Sequence, residues 1–380
     1  MKNNTIVTIA DLLEQTECVF CDTARPDAHG RESYLFTGAR SHVTAWTPDG
    51  VRPALERIQK LSERFWLAGY IRYEAAAAFL PRKMKLSRRR KQPRRPLVWF
   101  GVYEKPRSVR GFEGRGGYAP VVTVQATLSY ADYARRIKQI KSQIQNGNTY
   151  QVNFTFDMMV KAGCSPEVLY AHLRNYQKTP YCAFIKNACE QVLCFSPELF
   201  FSREGSRIWT RPMKGTAARG ATDPDDVRKR DALRRDEKNR AENLMIVDLL
   251  RNDLGRIAQT GSVSVPSLFD VETHPTLHQM TSLIQADLKD GVTYAEIFGA
   301  LFPCGSVTGA PKLKTMEIIR QTEEGERGVY CGAIGYIAPG NRAVFTVPIR
   351  ILQRPCPGGP WQYRVGSGIV WDSASRGEWQ

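Results

Sequence analysis

Apolar and polar positions along this chain follow two periods, and each marks a different element. In SYADYARRIKQIKSQIQNGN, Ile137, Ile140 and Ile144 recur at spacings of three and four, which makes one apolar stripe on a helix. Ser129 with Asp132 supplies an approximate capping box, and Asn146-Gly147 ends the run. The same reasoning predicts a helix over 51–65, a long charged helix over 225–254 closed by Gly255, and a helix near 293–302 that stops at Pro303. A loop, CGSVTGA, leads into another helix with Pro311 in its first turn.

Strand-length apolar or alternating runs fill much of the rest. They include PLVWFGVYE (96–104), TYQVNFTFDMMV, GVYCGAIGYIA, AVFTVPIRILQ and WQYRVGSGIVWD. QVLCFSPELFFSREGSRIWTRPMKG reads as a hairpin across Glu204-Gly205-Ser206. Strands follow one another without an obligatory helix between them. The expected fold class is therefore α+β with antiparallel sheets, not a doubly wound parallel sheet. Residues 1–125 read as short strands with one helix and a basic loop. The Gly/Arg-rich stretch SVRGFEGRGGYAP marks a soft boundary near 125, separating them from 126–380.

Composition narrows the class. The 380 residues are 42% hydrophobic and 24% charged, which excludes disorder, collagen and coiled coil for the whole chain. No apolar run approaches the roughly 18 residues of a membrane span. The start, MKNNTIVTIADLLEQ, lacks the apolar stretch of a signal peptide, so a cytoplasmic protein is expected, with no membrane partner. The nine cysteines include one C-x-x-C pair, Cys18 and Cys21, and no second pair to complete a zinc site; reduced, mostly buried thiols are expected. The net charge is +16, and the segment 82–95 alone holds nine basic residues and no acid. Such a run could bind nucleic acid, but it lacks the interleaved aromatic residues on which bases stack. It reads as a solvated loop.

Several polar residues stand in apolar surroundings. Glu198 lies in CFSPELFF, and Lys214 ends the facing strand in RPMKGT. A half-buried lysine loses proton affinity and can become a nucleophile; the pair could equally be an ion pair on a sheet surface. Glu242, on a helix with apolar following turns, could ligate a hard cation such as Mg²⁺ or face solvent. His278 in HPTLHQMTS could be acid, base, donor or a structural residue. In GSVTGAPK, Gly305 and Gly309 permit tight turns. The helix start after them offers N–H groups to a carboxylate, Ser306 and Thr308 add hydroxyls, and Lys312 adds a charge. The spacing is not that of a Walker loop. Arg350 in FTVPIRIL would be a carboxylate clamp if it points inward, and Gly366 and Gly368 let a ligand approach the last strand.

Taken in order, SPELF, RPMKGT, DEKNRAENLMIVDLLRNDLGR, HPTLHQMTS, GSVTGAPK, GVYCGAIGY, PIR and GSGIVWDS resemble the chorismate-binding enzyme family. That family includes anthranilate, aminodeoxychorismate, isochorismate and salicylate synthases. The resemblance covers roughly residues 125–380 and is weaker before them, although SYLF and GYIRYEAA also match the aminodeoxychorismate-forming branch. It implies a four-layer α/β/β/α core with two packed antiparallel sheets, and a catalytic domain over 126–380. Two positions discriminate within the family. Anthranilate synthases carry alanine where Lys214 stands. Isochorismate and salicylate synthases place a water-activating lysine where this chain has Gln151, and glutamine cannot act as that base.

The resemblance thus implies an Mg²⁺-dependent amination of chorismate, with Lys214 as covalent nucleophile, Glu198 as acid and His278 in support. Gln151, Thr216, Ser306, Thr308, Tyr330, Arg350, Gly366 and Gly368 would line the substrate, and Glu242 would hold the metal. No glutaminase module is recognisable, so ammonia is expected from a separate glutamine amidotransferase subunit or from solution. The family's closing motif resembles D-S-x-x-x-x-E-x-x-E, and here it runs from Asp372 to Gln380. Its second glutamate would be the next residue, so the expectation is a domain cut short, with Glu378 in a fraying terminal turn as substitute ligand. The alternatives are an anthranilate-forming enzyme and, in another class, a nucleic-acid-binding protein using 82–95.

Overall fold

The computed structural model describes residues 5–30, 32–81, 95–114, 120–356 and 358–380. Among these, twenty-one strands form two sheets. The ten-stranded sheet runs from Met213–Ala218 through Leu277–Asp287, Arg207–Arg211, Leu199–Glu204, Arg342–Thr346, Ala333–Ala338, Trp66–Ile71 and Val98–Tyr103 to Ser41–Ala45. The eleven-stranded sheet includes, side by side, Cys18–Asp22, Tyr181–Lys186, Glu190–Ser196, Ile351–Pro355, Trp361–Ile369 and Gln151–Ala162. Pairing is antiparallel apart from Thr5–Thr8 with Arg107–Glu113, which is parallel.

Side-chain alternation builds the layers. On Glu190–Ser196, Val192 and Cys194 face the core shared with the other sheet, while Leu193 and Phe195 face Leu169 and Tyr170 of the helix Pro166–Tyr176. The same parity sorts Ala183 and Ile185 from Cys182 and Phe184 one strand over. A strand pleat makes this split, and it lets one sheet bury both faces. Helices cover the outer faces, so the fold is α+β, as the order of elements implied, in the four layers that the resemblance implied. The helix Tyr130–Gln145 is capped by the Ser129 hydroxyl, as its sequence predicts, and buries Ile137 and Ile140 against Val152 and Phe154.

Residues 1–125 take part in both sheets. Cys18–Asp22 pairs with Tyr181–Lys186, and Trp66–Ile71 pairs with Ala333–Ala338. Hydrogen-bond ladders therefore cross position 125, and the boundary there does not divide the sheets. The basic segment 82–95 lies outside the described residues except for Arg95, whose guanidinium is 3.5 Å from Glu190. All nine cysteines are free, five of them buried. No helix among the described residues is long and apolar enough to cross a membrane.

Four expected elements differ. The run QVLCFSPELFFSREGSRIWTRPMKG holds the expected hairpin only from Leu199–Glu204 to Arg207–Arg211; Glu190–Ser196 lies in the other sheet, and Lys214 in a separate strand, Met213–Ala218. The helix over 225–254 is two, Asp223–Arg235 and Glu237–Gly255. Asp236 between them is extended, and its side chain accepts the Asn239 N–H at 2.7 Å; a short acidic side chain competes for the backbone and starts a new helix. AVFTVPIRILQ is also two strands, and they lie in different sheets: Arg342–Thr346 and Ile351–Pro355. Pro348 cannot donate to a ladder, and Arg350 turns the corner with φ of 53°. Pro311 is the capping position of the helix Lys312–Thr322, not a residue of its first turn.

A buried ion network ties the end of the helix Lys312–Thr322 to the eleven-stranded sheet and to the loop through Val307. Glu323, just past that helix, accepts from the Thr155 amide and hydroxyl at 2.8 Å, from Arg327 at 2.7 and 3.0 Å, and from Arg364 at 3.2 Å. Burial pushes its carboxyl up, but the two guanidiniums outweigh burial and hold it below the ordinary carboxylate range. Arg327 also donates to the carbonyls of Val307 and Asn153, both at 2.7 Å, and its backbone N–H reaches Glu74. Removing one partner of a buried pair leaves the other charge uncompensated. Arg327→Met is expected to cost about 3–5 kcal/mol, measured as a lower urea midpoint than wild type.

Candidate active site

A cavity of about 360 Å³ opens between the ends of the two sheets. Its volume lies in the range of small-molecule sites. The ten-stranded sheet contributes Met213, Lys214, Gly215, Thr216 and Gln279 to its wall. The eleven-stranded sheet contributes Asn153 and Tyr363 through Gly368. Pro197, Glu198, Ser306, Val307, Tyr330, Ile349 and Arg350 complete the lining.

Lys214 owes its position to a β-bulge. Met213 pairs with Thr281 and Thr216 with Gln279, so Lys214 and Gly215 together stand opposite Met280 alone. A bulge re-aims a side chain relative to the regular pleat. Gly215 makes it possible with φ of 91°; a Cβ there would also meet the Asn239 side chain at 3.0 Å. Lys214 is half-buried.

Glu198 is 3% exposed, in the turn between Glu190–Ser196 and Leu199–Glu204. Its backbone is pinned on both sides: its N–H donates to Ser196, and its carbonyl accepts from Thr346 and Val347. One carboxyl oxygen is buried with no partner among the described residues. Burial pushes its proton affinity up to about 7, against the Ser306 hydroxyl, the Lys214 charge and the Met213 amide. A carboxyl that half-titrates near neutrality beside an amine can serve as a general acid.

The remaining expected residues divide. Ser306, Tyr330, Arg350, Gly366 and Gly368 line the cavity with Glu198, Lys214 and Thr216. Arg350 donates to Gln177 at 3.0 Å from its corner between the sheets, not from within a strand. Gly366 is required by close approach, since a Cβ would lie 2.0 Å from the Phe154 carbonyl. Gln151 is fully buried behind Gly368; neither of its amide atoms has a partner among the described residues.

Thr308 is off the wall, because its hydroxyl closes the loop onto the carbonyls of Cys304 and Gly305. Lys312 is also spent elsewhere, on Asp253 at 2.5 Å and the Leu301 carbonyl. The expected anion site at that helix start therefore does not open on the cavity. His278 is likewise off the wall. Its ring bridges Thr273 and Asp226, each at 3.0 Å. Side chains alternate along a strand, so the neighbour Gln279 faces the cavity instead.

Glu242 and Glu378 lie close enough to influence each other. Burial is the main cause that raises the Glu242 carboxyl; Lys214 and Lys238 oppose it, while Glu378 and Asp236 add to it. Glu378 is not in a frayed turn. It sits in the helix Ser375–Trp379, accepting from Ser367 and from Ser373. Trp379 anchors that helix by stacking on Phe156 at 5.3 Å and packing on Tyr133 at 5.1 Å. A divalent Mg²⁺ typically takes one or two carboxylates and keeps waters, so two half-buried acids that repel each other fit such an ion. No cluster of three or more potential ligands occurs among the described residues.

Sequence reasoning missed Asn153, Gln279, Tyr363 and Arg364. Arg364 was detectable as a lone charge in the strand WQYRVGSGI, where it is buried and bonded to Thr155 and Glu323.

The two sheets close on a cavity that gathers a lysine, two arginines and a proton-holding glutamate. The chain belongs to the chorismate binding enzyme family, which it matches over residues 23–380. It is 36% identical to aminodeoxychorismate synthase component 1 of Bacillus subtilis over 248 residues, 65% of this chain and 52% of that one. It is 37% identical to an anthranilate synthase component 1 of Haloarcula marismortui over 262 residues, 69% of this chain and 52% of that one. The chain thus matches about half the length of these curated relatives. Its fold is shared with anthranilate synthase component I from Streptococcus pneumoniae, at TM-score 0.79 and 22% identity over 94% of this chain and 91% of that one.

The raised Glu198 carboxyl sets a pH dependence. Turnover that needs its proton is expected to fall as pH rises through about 7, and Glu198→Gln should abolish that limb while lowering turnover about 10²–10⁴-fold. Folding holds this proton more tightly than the unfolded chain does, so wild type should also lose stability relative to Glu198→Gln as pH rises from about 4.5 to about 7. A kcat–pH profile and urea titrations across that window check both.

Proposed function

We propose that this chain is component I of an aminodeoxychorismate synthase, converting chorismate and ammonia to 4-amino-4-deoxychorismate. One observation carries the reading: Lys214 is aimed into the cavity by a bulge, beside a buried carboxyl that keeps its proton near neutrality. A lysine there offers a nucleophile where anthranilate-forming relatives have none, and Gln151 offers no base to activate water.

Lys214, as free amine, adds to C2 of the ring. Both ring double bonds shift, the C4–O bond breaks, and the oxygen leaves as water with the proton of Glu198. Ammonia then adds at C4, both double bonds shift back, and the C2–N bond breaks to return the lysine. Glu198 regains its proton from the nitrogen centres, so the net change is one ammonia in and one water out. Arg350 would hold a substrate carboxylate, and the Gly366–Gly368 backbone would let the ring approach the last strand. Glu242 and Glu378 would hold Mg²⁺, which supplies charge neutralisation for the ring carboxylate when bound. Ammonia would come from a glutamine amidotransferase subunit, in keeping with the component naming of the relatives.

Incubation with chorismate, Mg²⁺ and ammonium, with mass identification of the product, tests the reading; anthranilate as the sole product would overturn it. Lys214→Ala is expected to abolish aminodeoxychorismate formation, leaving at most a slow anthranilate-type reaction from direct ammonia attack. Full aminodeoxychorismate activity in that variant would exclude the covalent route. Glu242→Gln should shift the Mg²⁺ dependence of turnover to much higher concentration, and an unchanged titration would mean that this carboxylate is only solvated.

A further inference from the structure

We propose that Gln279 is the positioning residue for Lys214, acting by locking the bulge on which the lysine stands. The proposal rests on Lys214 being the nucleophile of the reaction above. A bulge leaves its extra residue out of the ladder, so Lys214 and Gly215 lack the regular cross-strand bonds that would hold them still. The Gln279 amide supplies the missing restraint. Its nitrogen donates to the Gly215 carbonyl at 2.7 Å, and its oxygen accepts from the Thr216 hydroxyl at 3.1 Å. One side chain thus bonds the two residues that follow the lysine.

The rest of the surroundings make this clamp rigid. Gln279 is 7% exposed and lies directly opposite Thr216 in the register. Gly215 has no room for a side chain, since a Cβ there would lie 3.0 Å from Asn239. The strand behind is fixed by His278, whose bonds to Asp226 and Thr273 tie it to the helix Asp223–Arg235 and to Ser264–Thr273. Asp226 is in turn gripped by both arms of Arg219. No apolar side chain of similar size can both donate to one bulge residue and accept from the next. A shift of about 1 Å at a reacting atom costs on the order of 100-fold in rate, so the clamp is worth far more to the chemistry than to substrate binding.

The test uses Gln279→Leu and the equally sized Gln279→Glu in the intact chain, with chorismate, Mg²⁺ and ammonium. Gln279→Leu is expected to lower kcat roughly 10–100-fold with the chorismate KM within about threefold of wild type. Gln279→Glu should be as poor at high pH, where an ionised carboxylate faces the Gly215 carbonyl. It should recover relative to wild type as pH falls and the neutral carboxyl can donate. A readout independent of turnover is the rate at which Lys214 is labelled by trinitrobenzenesulfonate, followed by peptide mass spectrometry; it should change severalfold in Gln279→Leu while other lysines do not. Unchanged kcat and unchanged Lys214 labelling would overturn the proposal, as would a rise in KM alone. If wild type makes no aminodeoxychorismate, the functional reading fails by itself, and the labelling still decides whether Gln279 governs Lys214.

Discussion

One buried carboxylate, Glu323, fixes the floor of the cavity. Its negative charge is tolerated only because Arg327 and Arg364 converge on it, and each of them has a second task. Arg327 reaches the carbonyls of Asn153 and Val307, which come from a strand of one sheet and from the loop that carries Ser306. Arg364 is itself part of the cavity wall. A low-dielectric interior makes unpaired charges costly and paired ones stiff. The network therefore converts an electrostatic requirement into a geometric one: strand, loop and helix end can meet in only one way.

The reactive side of the cavity is built by the opposite strategy. Lys214 sits where the regular ladder fails, and Glu198 sits where burial leaves one oxygen unpartnered. Such local violations are what a reactive site requires, since a fully satisfied carboxyl would not keep a proton near neutrality. The rigid floor compensates for the unsatisfied wall. The cavity wall is divided between the sheets, with the lysine on one and the close-approach glycines on the other.

Much of this was legible in the sequence because the informative residues broke an apolar pattern. Glu198 in CFSPELFF and Lys214 in RPMKGT stood out for that reason, and both reached the cavity. The helix Tyr130–Gln145 was legible because its cap and its isoleucine spacing agreed. Other features were hidden by the same logic. Glu323 and Arg327 fall in TEEGERG, a dense charged stretch that reads as solvated until the fold buries it. His278 drew attention through its chemistry, but strand parity turned it away and presented the neutral Gln279. The break at Asp236 and the sheet change at Arg350 depend on tertiary context, which outweighs periodicity over so few residues.

The way early strands pair with late ones also has a consequence during synthesis. Trp66–Ile71 finds its partner in Ala333–Ala338, about 260 residues further along the chain. At the usual 5–20 residues per second of translation, that strand leaves the ribosome roughly 13–50 seconds before its neighbour exists. Its other edge can close at once on Val98–Tyr103, but the face and edge meant for the late strand stay open. An apolar edge exposed for that long invites pairing with other nascent chains. The yield of folded protein in the cell will therefore depend on translation speed and on chaperones that shield the first hundred residues.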